Sequence, residues 1–131
     1  MLPQQSRMRR AEDFRRSLRS GRRAGGAVLA GYLLPAAPEP SDTDRAVRSG
    51  DPAKVGLIVS RAVGSAVVRN RVKRRLRELM RRRLASLPRG CLLVLRAHPA
   101  AASARQADLA ADLDLVIGKL LRRQVGALRQ E

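Results

Sequence analysis

Residues Ser65 to Leu87 constrain the fold more than any other part of the chain. Val68, Val72, Leu76, Leu79, Met80, Leu84 and Leu87 recur at spacings of three and four, the period that lines one side of an α-helix. Ser65, just ahead of them, has the side chain of an N-cap. The segment predicts a helix from Ser65 to about Leu87 with one side committed to a core.

The rest of that helix is charged. From Arg61 to Leu84 there are ten basic residues and one acid, Glu78. Arg69, Lys73, Arg77 and Arg81 follow at four-residue steps with Asn70 and Arg74 beside them, which predicts a ridge facing away from the apolar stripe. A solvated helix face usually mixes signs and gains attractive pairs, whereas here like charges are neighbours. Such a ridge suits a phosphate backbone. The chain of 131 residues carries 28 Lys+Arg against 11 Asp+Glu, a formal charge of +17, and that excess calls for a polyanionic partner. Only Lys54, Lys73 and Lys119 are lysine; arginine dominates, and its planar fork suits phosphates and stacking. A GC-rich genome would also raise arginine and alanine, but it would spread them evenly.

Elsewhere the elements are shorter. Arg7 to Arg23 reads as a basic N-terminal helix with Met8, Phe14 and Leu18 on one face and Gly21 as its stop. Residues 27–34 form an apolar run of strand length, and Lys54 to Ser60 and Cys91 to Arg96 are the two clearest strands, the second following the Pro88-Arg89-Gly90 break. The stretch from Pro35 to Pro52 is rich in Pro, Ala, Ser, Asp and Gly and reads as a flexible surface loop. A last helix is expected from Ser103, with Gln106 completing a capping box and Leu109, Leu113, Val116, Ile117, Leu120 and Leu121 on its buried face. Asp108 and Asp112 early in it, and Arg122 and Arg123 late, match the helix dipole.

Several functions are disfavoured. Cys91 is the single cysteine, so neither an intrachain disulfide nor a cysteine-based zinc site is expected, and a reducing cytoplasm fits. Residues 1–7 lack an apolar export core and no apolar run is long enough to span a bilayer, so a soluble cytoplasmic protein without membrane contact is expected. His98 is the sole histidine and precedes Pro99 at a strand's end, Cys91 lies in an expected buried strand, and no carboxylate pair or nucleophile with a base stands out. The chain alone is not expected to be catalytic. Phe14 and Tyr32 are its only aromatic residues, so either they pack in the core or they form a small base-stacking platform.

Two blocks resemble a known family. Val55-Gly56-Leu57-Ile58-Val59-Ser60-Arg61, followed by Gly64-Ser65-Ala66-Val67-Val68-Arg69-Asn70-Arg71-Val72-Lys73-Arg74-Arg75-Leu76-Arg77-Glu78, is similar to the signature of the bacterial ribonuclease P protein. Glu12-Asp13-Phe14 with Gly21, and Arg96 through Pro99, resemble its flanking blocks. The resemblance implies an α+β fold, a compact single domain over 1–131, ordered from about 7 to 123. Its order is αβββαβα, with a four-stranded sheet and an unusual left-handed crossover, as in domain 2 of ribosomal protein S5. The fourth strand would be a short piece near Arg22 to Gly25. The family's partners would be the ribonuclease P RNA subunit and precursor tRNA, with no obligate protein partner. The RNA would perform the hydrolysis with Mg2+, without a dedicated ion site on the protein. By the same resemblance Arg69, Asn70, Arg71, Lys73, Arg74 and Arg77 contact the RNA subunit, while Phe14, Leu18, Tyr32, Ser60 and Arg61 line a cleft for the 5′ leader. Leu18 stands where many relatives carry a second aromatic, and Ala62 where many carry a second lysine.

Overall fold

The structure, a computed structural model, describes residues 2–36 and 52–129; the expected loop over 35–52 falls, except at its two ends, outside that range. Seven main elements follow in the order α1 (Ala11–Ser20), β1 (Arg22–Gly25), β2 (Leu29–Leu34), β3 (Lys54–Ile58), α2 (Ala66–Arg81), β4 (Leu92–Ala97) and α3 (Gln106–Arg129), the expected αβββαβα. The sheet order is β1-β2-β4-β3. β2 pairs antiparallel with β1 and β4, while β3 runs parallel to β4, so α2 is the crossover between two parallel neighbours.

Strand alternation divides the sheet into two faces. On one face Leu29, Leu33, Leu93, Leu95 and Val55 meet Val72, Leu76 and Met80 of α2 and Leu109, Leu113, Val116 and Leu120 of α3 in the main core. Gly31 lies on this face because α3 crosses it closely: a Cβ there would stand 2.6 Å from Val116 Cγ1. The other face carries α1 and a smaller cluster of Met8, Leu92 and Val94, with Phe14, Tyr32, Leu34 and Ile58 packed around it. Gly56 does for α1 what Gly31 does for α3, since a Cβ there would lie 2.5 Å from Phe14 Cε1.

Several boundaries differ from expectation. The first helix is shorter than Arg7 to Arg23, and Met8 lies outside it: Met8 N–H donates to the Val55 carbonyl at 2.9 Å, so the chain there runs along the edge of β3. Within α1 the fully buried residues are Asp13 and Ser17, whose hydroxyl donates to the Asp13 carbonyl at 2.8 Å; Leu18 is exposed. Ser65 caps α2 as expected, accepting from Val68 N–H at 3.3 Å. α2 ends at Arg81, well before Leu87, although the apolar period continues. Arg83 supplies the reason. Its guanidinium donates to the Leu79 carbonyl at 2.8 Å and forks onto Asp114 of α3 at 2.6 and 3.1 Å, closing the helix end while the chain turns into a 3-10 segment, Leu84–Ser86. α3 begins at Gln106, and Ser103 instead closes the short 3-10 helix Pro99–Ala102, so no capping box forms.

The β1–β2 turn is held by a residue the sequence reading had assigned to the helix dipole. Asp112 of α3 is buried, and its carboxylate accepts the backbone N–H groups of Ala27, Val28 and Leu29 at 2.8, 3.0 and 2.9 Å. The neighbouring Lys119 ammonium donates to the Gly25 carbonyl at 3.1 Å.

Candidate nucleic-acid interface

The α2 ridge does not face uniformly away from the core. An α-helix turns about 100° per residue, so each four-residue step advances about 40° around the axis. Arg69, Lys73 and Arg77 are accordingly half-buried along the flank of the Val72-Leu76-Met80 stripe, while Arg81 reaches the outer face with the exposed Asn70, Arg71 and Arg74. Arg69 Nε is buried and finds no hydrogen-bond acceptor among the described residues. Arg75 borders the stripe on its other side and donates to the Ala104 carbonyl at 3.4 Å. Glu78 lies 4.0 Å from Arg81, and an exposed pair of this kind neutralises little of the ridge.

The drift of the ridge has a spatial consequence. At the edge of β3, Lys73 and Arg77 line a pocket of about 330 Å³ together with Arg7 and Arg9 of the N-terminal segment, Phe14 of α1 and Gly56. Cations from two segments and one aromatic ring thus share one concavity, which joins the flank of α2 to the α1 face of the sheet. On that face the register aligns Arg23, Tyr32, Val94 and Gly56 in one row across the strands, with Phe14 against Gly56. Phe14 and Tyr32 are both half-buried, packed around the small cluster without being fully enclosed by it. The next row holds Gly25, Ala30, Arg96 and Ile58, and Arg96 is the one exposed residue of β4. Ser60 and Arg61 continue beyond Ile58 and are exposed.

The structure therefore brings Phe14 into one pocket with Lys73 and Arg77, sets Tyr32 in the row leading to it, and leaves Leu18, Ser60 and Arg61 open to solvent. Sequence reading had missed Arg7, Arg9, Arg23 and Arg96 as parts of this surface. Arg96 carried a signal, a single charge inside an apolar strand; the others stood among the many arginines of residues 7–23, where no one of them was marked out.

Burial pushes the Cys91 thiol up to about 12, which keeps it a neutral packing group at neutral pH. Among the described residues no group of three or more His, Cys, Asp or Glu side chains is placed to hold a metal ion, and no helix is long and apolar enough to cross a membrane. The chemistry this surface offers is phosphate neutralisation and base stacking.

Fold and surface together define a small, strongly basic α+β protein of the nucleic-acid-binding class, with cations gathered along one sheet face and one helix. The family model for ribonuclease P matches residues 2–121. The chain is 50% identical over 121 residues to the ribonuclease P protein component of Streptomyces avermitilis, covering 92% of this chain and 96% of that one. It is 49% identical over 122 residues to that of Thermobifida fusca, covering 93% and 80%. Among solved structures, the ribonuclease P protein of Staphylococcus aureus superposes with a TM-score of 0.69 at 21% identity, covering 88% of this chain and 96% of that one. That of Thermotoga maritima gives 0.65 at 21% identity, over 88% and 96%. The chain belongs to the ribonuclease P protein family. It is thus an RNA-binding component of a tRNA-processing ribonucleoprotein, and its partner is the ribonuclease P RNA subunit.

Proposed function

We propose that the chain grips the catalytic RNA subunit with Arg69, Asn70, Arg71, Lys73, Arg74 and Arg77, and the 5′ leader of precursor tRNA with Phe14, Leu18, Tyr32, Ser60 and Arg61. In doing so it assists magnesium-dependent removal of the leader in the cytoplasm. The observation that carries this reading is the shared pocket, where Lys73 and Arg77 of α2 meet Phe14 of α1. A strand crossing the sheet face toward that edge passes directly from the stacking residues to the helix flank. Two RNA segments, one on the outer face of α2 and one on the sheet face, are then held side by side by one rigid body.

The protein's contribution is electrostatic and positional. Arginines on both sides of the junction neutralise phosphates that would otherwise repel one another, which lowers the concentration of cations needed to bring substrate and catalytic RNA together. The Mg2+ ions act with the RNA, and no step is assigned to a carboxylate of this chain. Leader cleavage by the catalytic RNA, measured at low magnesium with and without the full chain, tests the reading. A large gain in rate with the chain is expected, together with tighter binding of precursor than of mature tRNA. An unchanged rate and equal affinity for both substrates would remove the basis for the proposal.

A further inference from the structure

The outer side of α3 has a pattern that the RNA-binding surface does not use. Asp108, Ala111, Leu115, Gly118 and Arg122 follow at steps of three, four, three and four, a spacing that keeps them on one stripe. They lie opposite the buried stripe of Leu109, Leu113, Val116, Ile117 and Leu120. Leu115, at the centre, is 46% exposed, one of three large hydrophobic side chains so exposed among the described residues. Beside it runs a groove of about 480 Å³ lined by small and apolar side chains, among them Ala27, Ala100, Ala111 and Leu115, and by the acids Asp108 and Asp112.

The stripe is its own complement. Laid antiparallel against a second copy of itself about Leu115, it sets Asp108 opposite Arg122, Ala111 opposite Gly118 and Leu115 opposite Leu115. Both end pairs then join opposite charges, and the two helix backbones approach closely once the Arg122 guanidinium, which lies over Gly118 in the single chain, swings out to the partner's Asp108. The other charged residues of this part of α3 are engaged within the chain: Asp114 with Arg83, Asp112 with the β1–β2 turn and Lys119 with Gly25. RNA is an unsuitable occupant, because the stripe balances one acid, Asp108, against one base, Arg122, and Asp114 beside it is already neutralised by Arg83, which leaves no excess of positive charge on this side. We propose that α3 is a docking surface for a second copy of this chain, forming an antiparallel, two-fold helix pair centred on Leu115. The fifteen residues from Asp108 to Arg122 span only about 21 Å of helix, a contact at the small end of specific interfaces. The dimer is therefore a weak, concentration-dependent one.

Sedimentation equilibrium of the full chain in moderate salt, up to several hundred micromolar, tests this directly. Reversible dimerisation is expected. Leu115→Asp sets two carboxylates against each other at the axis and should weaken it at least tenfold. Asp108→Arg should also weaken it, by setting arginine against Arg122 at both ends, and Asp108→Arg with Arg122→Asp should restore it by exchanging the signs. All three positions are exposed, so melts matching the wild type should confirm that each variant is folded. A wild-type chain that stays monomeric throughout overturns the proposal. So does association indifferent to Leu115→Asp, or a charge exchange that fails to restore what Asp108→Arg removed.

Discussion

The buried carboxylate of Asp112 accepts the backbone N–H of Leu29 at 2.9 Å across 83 positions of sequence. Together with the bonds from Ala27 and Val28, it gives three successive donors of the β1–β2 turn a partner on α3, while the Gly26 N–H donates to the Leu29 carbonyl at 2.8 Å. Gly26 is required beside it, since any Cβ at that position would collide with the carboxylate.

Replacing Asp112 by Ala leaves three backbone donors without their acceptor, and a loss of about 3 kcal/mol of stability is expected. Asp112→Asn should recover little of this, because an amide N–H₂ in place of one oxygen faces donors rather than accepting from them. Denaturant melts decide the matter. An Asn variant as stable as the wild type would mean that the turn does not depend on both oxygens.

The ridge predicts two different phenotypes. Arg74 is exposed, so Arg74→Ala should lower the slope of log affinity against log salt by about one unit with an unchanged melting temperature. Arg69 is half-buried beside the core stripe, so Arg69→Ala should lower the slope and the melting temperature together, through lost packing of its stem. Identical effects of the two substitutions would contradict the rotation of the ridge around the helix.

Phe14 packs against Gly56, so Phe14→Ala should cost about 3 kcal/mol of stability. At temperatures where the variant is folded, it and Tyr32→Ala should each weaken binding of precursor tRNA by about 1–3 kcal/mol per base contacted. Affinity for mature tRNA should not change. Leu18 is exposed on the same helix, and Leu18→Phe should strengthen precursor binding. Equal losses for precursor and mature tRNA would show that these rings do not touch the leader.

Cys91 gives the prediction that depends on pH. Its thiol titrates at about 12 in the folded protein, above the ordinary 9.0. At pH 8 to 9 the folded state therefore holds the neutral thiol while the unfolded chain begins to ionise. Alkylation in that range should follow the unfolded fraction, and rapid labelling of the native protein would show Cys91 to be accessible. Because the folded value is the higher one, stability tied to this group is full below pH 9 and declines as pH rises from there toward 12.

What was legible in the sequence follows from the range of the interactions. Ser65 and the Val72-Leu76-Met80 stripe were readable because capping and helical periodicity are local. Arg22–Gly25 carries no strand signal of its own and becomes a strand only through its ladder with Gly31, Tyr32 and Leu33. The early stop of α2 depends on Asp114, 31 positions beyond Arg83, and the role of Asp112 on a turn more than 80 positions before it. Neither is visible in a window the length of a helix. The ridge was misplaced for a geometric reason: four-residue spacing approximates one face over two turns and leaves it over four. In the interface, the α2 cations were legible from charge density, whereas the convergence of Arg7, Arg9 and Phe14 with Lys73 and Arg77 required the β3 edge to bring them together.

Because Asp112 sits in the last helix, synthesis and folding are coupled in a definite order. A chain still emerging from the ribosome has its whole arginine-rich segment exposed before β4 exists to receive β2 and β3, and long before the turn acquires its acceptor. The basic helix thus precedes the body that orients it. Until residue 112 and the helix around it are available, the β1–β2 turn lacks the acceptor for its three donors, and the sheet face that carries Tyr32 and Arg96 lacks the anchor that fixes its edge.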